Sequence, residues 1–76
     1  MLFKIKINNS EEAQRLNSIA QQYTFDIWVH GKTGQVDAKS ILGLVLFSLE
    51  TDLDLVIDDA ADSKRFEKDI EQFIVK

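Results

Sequence analysis

The chain contains no cysteine and no proline, and only three glycines among its 76 residues. Without cysteine there is neither a disulfide frame nor a thiolate metal site to hold a small domain together. An apolar core must do that work, and a chain of this length buries only about 60% of the surface its unfolded form exposes. That is enough for one domain over residues 1–76 and not for two. The glycines, Gly31, Gly34 and Gly43, do not form a phosphate-cradling loop. No run of about 18 apolar residues is present, so no membrane-spanning helix is expected. The opening MLFKIKINN is too short and too charged for a secretory signal, which makes a cytoplasmic location the expectation. Positive charge is also scarce. The net charge is −4, which argues against nucleic acid as a partner, because its phosphates call for a basic patch. No repeat, low-complexity segment or linker interrupts the chain.

What is present is a regular alternation of strand-like and helix-like stretches. Leu2 to Ile7 alternates with period two, placing Phe3, Ile5 and Ile7 on one side, and reads as a half-buried strand. Ser10 is a good N-cap, and Glu11 and Glu12 suit the positive end of a helix. Ala13, Leu16, Ile19, Ala20 and Tyr23 then recur at helical spacing, predicting a helix over 11–22. Phe25 to His30 alternates again. Gly31 to Gly34 supplies a turn, and Gln35 to Asp37 returns, so these stretches form a hairpin. Ser40 caps a helix from Ile41 to Leu49. Leu53 to Asp58 is the last strand, with Leu53, Leu55 and Ile57 inward. Asp62 and Ser63 are candidate caps for a final helix that carries Phe66, Ile70, Phe73 and Ile74 on one stripe. The order β-α-β-β-α-β-α, with one apolar face per strand, predicts an α+β domain. Its architecture is a two-layer open-faced sandwich, a four-stranded antiparallel sheet with three helices on one face.

Little in this pattern is catalytic. His30 is the one histidine, set at the mouth of the hairpin, where it is either a proton shuttle or phospho-acceptor or a turn residue without a role. No nucleophile–base set is visible among Ser10, Ser18, Ser40, Ser48 and Ser63. Asp52, Asp54, Asp58, Asp59 and Asp62 lack the glycine turn and closing glutamate of an EF-hand loop, so they read as solvated charge and no metal site is predicted. No cofactor is implied either. Trp28 faces outward beside Leu2 and Val56, as a cross-strand packing residue or as a contact surface.

The stretch Asp37 to Leu49, DAKSILGLVLFSL, is different. A helix built from Ile41, Leu42, Leu44, Val45, Leu46, Phe47 and Leu49 is apolar on almost every side, and only one side can pack on the sheet. Unless neighbouring helices cover the rest, an apolar surface remains for a protein partner.

The same stretch carries a family resemblance. The turn Gly31-Lys32 after an Ile-x-Val strand, followed by Ala38-Lys39-Ser40-Ile41-Leu42-Gly43, resembles the HPr family, the small phosphocarriers of the bacterial phosphotransferase system. The order of elements is also that of HPr, and the chain lies on the family pattern without a gap from about Ile7 to Ile57. The family's phosphorylated histidine opens the first helix in G-L-H-x-R-P-A. In this register the histidine position is Asn9, the arginine position is Glu11, the proline position is Glu12, and the final alanine matches Ala13. Asparagine has no imidazole to phosphorylate, and two carboxylates repel a phosphoryl group where the family places a cation. The resemblance therefore implies a member with no catalytic residue.

It also implies that Ser40 is the regulatory serine that an HPr kinase phosphorylates, since a phosphate there meets free backbone N–H groups beside Lys39. Lys39, Ile41, Leu42 and Val45 are implied to be the partner-binding residues, and Lys4 and Lys6 are implied to face Asp54 and Asp58 across strands. The expected function is that of a non-enzymatic HPr-like regulator that binds proteins, either phosphotransferase components or a transcriptional regulator. Two alternatives stand beside it: an HPr-fold interaction or self-association module outside sugar transport, and an active phosphocarrier that uses His30.

Overall fold

A computed structural model describes residues 1–59 and 63–75. Asp62, a candidate cap, lies outside the described residues. The elements in order are β1 (Leu2–Ile5), α1 (Ser10–Ala20), β2 (Ile27–Gly31), β3 (Gly34–Asp37), α2 (Ile41–Phe47), β4 (Leu53–Ile57) and α3 (Lys64–Asp69), followed by a 3₁₀ turn over Glu71–Phe73. The strands form one sheet in the order β1-β4-β2-β3, and every neighbouring pair is antiparallel. The predicted order and the open-faced sandwich are therefore what the chain adopts.

One face of the sheet holds the core. Ile5, Ile27, Val29, Leu53, Leu55 and Ile57 are buried there, against Ala13, Leu16 and Ala20 of α1, Leu44 and Phe47 of α2, and Phe66, Ile70 and Phe73 at the C-terminal end. Alternation explains the strand residues and three-to-four spacing the helical ones. Phe66 also closes an aromatic cluster, with the rings of Tyr23 and Phe25 edge-on at centroid distances of 5.2 and 5.6 Å. These are favourable geometries for ring quadrupoles, and they seat α3 against the segment that follows α1. The opposite face carries Leu2, Val56 and Trp28 in one cross-strand row, as expected. Lys4, Asp54, His30 and Gln35 form the next row.

Several local expectations need correction. Asn9, not Ser10, caps α1: its side chain accepts the Glu12 N–H at 2.9 Å, and Ser10 is already helical. Lys4 does pair with Asp54, at 3.5 Å, but Lys6 does not face Asp58. The β1–β4 register runs from Leu2–Val56 to Ile5–Leu53, which carries Asp58 to the far end of the ladder from Lys6. The Lys6 amide instead donates to the Phe73 carbonyl, and the Val75 amide donates to Lys4. The C-terminal segment thus covers the outer edge of β1, which limits strand pairing with another chain there. Ile74 makes an isolated bridge to Ile5 rather than continuing the helical stripe. His30, at the mouth of the hairpin, is half-buried.

Helix α2 stops at Phe47, two residues short of the predicted end. The Ser48 hydroxyl donates back to the Val45 carbonyl at 2.6 Å, and the Glu50 amide reaches the Phe47 carbonyl three residues back. That bonding competes with the α-helical ladder and tightens the last turn.

Candidate functional site

The segment leading into α2 is held firmly from two sides. The Ala38 amide donates to the Ile27 carbonyl of β2 at 2.9 Å. From α1, Asn17 donates to the Ala38 carbonyl at 3.1 Å and Gln21 to the Lys39 carbonyl at 2.9 Å. Asp37 closes the bend locally: its carboxylate accepts the Lys39 amide at 2.9 Å and its carbonyl accepts the Ser40 amide at 2.8 Å. Asparagine and aspartate make such short side-chain bonds readily at turns. Further along, Gly43 lets α2 lie close to β3, since a Cβ at that position would stand 2.8 Å from Cβ of Val36. No larger residue fits without moving one of the two elements.

Ser40 emerges from this clamp exposed. It occupies the N-cap position, with extended backbone, and its carbonyl accepts the Leu44 amide. Its side chain makes no cap hydrogen bond, so the hydroxyl does not perform the capping role expected of it. The first turn of α2 contains no acidic residue, and Lys39 next to it is half-buried.

The outward side of α2 is apolar. Leu42 is 74% exposed, Leu46 66% and Leu49 86%, with Ile41 at 38%. Residues 42, 46 and 49 follow the four-then-three spacing of a helical stripe, although Leu49 itself lies just past the helix end. Val45 is half-buried and packs against the core. Of the four residues implied as partner contacts, then, Leu42 stands out fully, Ile41 in part, and Lys39 and Val45 least. Leu46 and Leu49 were not singled out from sequence. The signal for them was present in the spacing from Leu42, once Leu44 and Phe47 are assigned to the core.

The Asn9 end of α1 has another character. Asn9 accepts the Glu12 amide, and Glu12 reaches back to the Asn8 amide at 3.0 Å. This is a reciprocal arrangement close to a capping box. Asn9 and Gln21 are separated by about 18 Å of helix axis, and α1 grips the approach to α2 through Asn17 and Gln21 near its far end. Asn9, Glu11 and Glu12 bring no nucleophile and no cation together. Among the described residues there is no cluster of histidine, cysteine, aspartate or glutamate able to hold a metal, and no helix is long and apolar enough to cross a membrane.

Two solved structures align with the chain over nearly its whole length. HPr-C-His from Thermoanaerobacter tengcongensis superposes with a TM-score of 0.74 at 22% identity, covering 97% of this chain and 90% of that one. This chain has the HPr-like fold. The phosphocarrier protein HPr from Bacillus anthracis str. Ames superposes with a TM-score of 0.67 at 15% identity, covering 96% and 93%. No family model and no curated protein matches the sequence. The likeness to HPr is therefore one of architecture, and the chemistry must be argued from the residues this chain carries.

Proposed function

We propose that this HPr-like domain is a non-catalytic regulatory or protein-interaction module related to the sugar phosphotransferase system, acting in the bacterial cytoplasm and binding a protein partner through α2. The observation that carries the reading is the apolar stripe of Leu42, Leu46 and Leu49 beside an exposed Ser40. Exposed leucines cost solubility, and a chain of this size has few reasons to keep three together other than contact with a partner. The side chains at the opposite helix start support the same reading, because Asn9 and Glu12 are engaged in capping and neither can carry a phosphoryl group as a histidine does. Ser40 is the proposed site of regulatory phosphorylation. Lys39, Ile41, Leu42 and Val45 are proposed contacts, to which Leu46 and Leu49 are added.

Titration of the ¹⁵N-labelled protein with an HPr kinase tests this reading. Amide signals of residues 39–49 should shift, those of 8–12 should stay, and Leu42→Glu should abolish the response. An absence of shifts in 39–49, or shifts confined to the Asn9 end, would overturn it.

A further inference from the structure

We propose that the outer face of α2 pairs with the same face of a second copy of this chain across a two-fold axis near Val45 and Leu46, giving a weak symmetric dimer. The inference rests on α2 being the interaction surface, and it names the occupant. From Ser40 to Leu49 the chain carries no charged side chain, so a two-fold contact there buries no unpaired charge. With that axis perpendicular to α2, the helices run antiparallel, and their dipoles then oppose favourably. It also carries each Lys39, just before the helix, toward the Thr51–Asp52 end of the other copy, where Asp52 is exposed. Lysine and aspartate are thus placed at the rim, where charged pairs suit an interface.

The area is sufficient for a weak complex. At about 100 Å² of apolar surface per leucine at these exposures, Leu42, Leu46 and Leu49 offer roughly 300 Å² per copy, the size of a functional patch on a monomer. Two copies then bury roughly 600 Å² of apolar area, and at the roughly 65% apolar share of homodimer interfaces this corresponds to about 1,000 Å² in all. That lies at the threshold for a specific interface and points to a dimer that dissociates on dilution. Sheet-edge pairing through β1 is a poorer route, since the C-terminal segment already bonds to that strand.

Sedimentation velocity from micromolar to millimolar protein tests the pairing. The wild type should move from 8.7 kDa toward twice that mass, and Leu46→Glu should weaken association by about tenfold or more. Leu46 is mostly exposed, so the variant should keep its circular dichroism spectrum. Because the chain has no cysteine, Leu46→Cys introduces a single thiol close to the axis, and on mild oxidation it should cross-link far faster than Lys64→Cys. A wild type that stays monomeric throughout, a dimer that survives Leu46→Glu, or equal cross-linking of the two cysteine variants would overturn the proposal. A monomer that still shifts at 39–49 with the kinase would end the pairing and leave the functional reading standing. A dimer lost in Leu46→Glu, with no response to the kinase, would do the reverse.

Discussion

The two helix starts, Asn9–Glu12 and Ser40–Gly43, face the same physical problem and meet it differently. Each helix leaves its first amides without intrahelical partners. At α1 the Asn9 and Glu12 side chains take up that role, and the residues exposed around them are polar. At α2 the Ser40 side chain makes no cap bond, and the residues next to it are exposed isoleucine and leucine. One end is finished internally. The other is held rigidly from behind, by Asn17, Gln21 and Asp37, and left open in front. Rigid support beneath an exposed apolar surface suits the contact role proposed for α2, whereas the closed polar cap at Asn9 stabilises its own helix.

This contrast can be broken in several places. The largest effect should come from separating the two sides of α2. Leu44→Ala removes a fully buried side chain and should cost about 3 kcal/mol, whereas Leu42→Ala should change stability by no more than about 0.5 kcal/mol; chemical denaturation reads both. The helix starts themselves come next. Asn9→Ala removes a cap that is made and should cost about 1 kcal/mol, and Ser40→Ala should cost a few tenths at most, because no cap bond is lost. Equal losses at the two positions would erase the distinction.

The smallest effect concerns the segment just past α1. Burial, then the hydrogen bond to Asp69 and its charge, hold the Tyr23 hydroxyl above its ordinary pKa of 10.0. A group whose pKa is raised on folding stabilises fully below its unfolded pKa and loses that contribution as pH rises through the folded value. The melting temperature should therefore fall on the alkaline side of pH 10, and Tyr23→Phe should flatten that limb while leaving the acid side unchanged.

Most of the architecture was legible because period-two and helical patterns rarely conflict in this chain. Leu53, Leu55 and Ile57 alternate cleanly, and Phe66, Ile70 and Phe73 recur at helical spacing. The errors fall where one residue's side-chain bond decides the outcome. Nothing in Asn9-Ser10 says which of the two will cap, since both side chains can accept the amide. Ser48 ends α2 early through a bond from its hydroxyl to the Val45 carbonyl, and the cover over β1 depends on a tail whose sequence shows no strand period. For α2, the sequence shows a helix apolar all round and does not divide its faces. The resemblance implies Val45 as a contact, yet it is half-buried against the core, while Leu46 and Leu49, which the resemblance does not name, stand exposed. On a helix apolar all round, the spacing alone does not say which stripe the sheet takes.

The Asn9 end of this HPr-like domain is a closed structural cap, and the working surface is proposed to be the Ser40 end. Intact-mass measurement after two parallel incubations tests it most directly, one with enzyme I and phosphoenolpyruvate, the other with an HPr kinase and ATP. No phosphate is expected from the first and a single phosphate from the second, absent in Ser40→Ala. An acid-labile phosphate from the first incubation, on His30 or anywhere else, together with an unmodified Ser40 in the second, would contradict it.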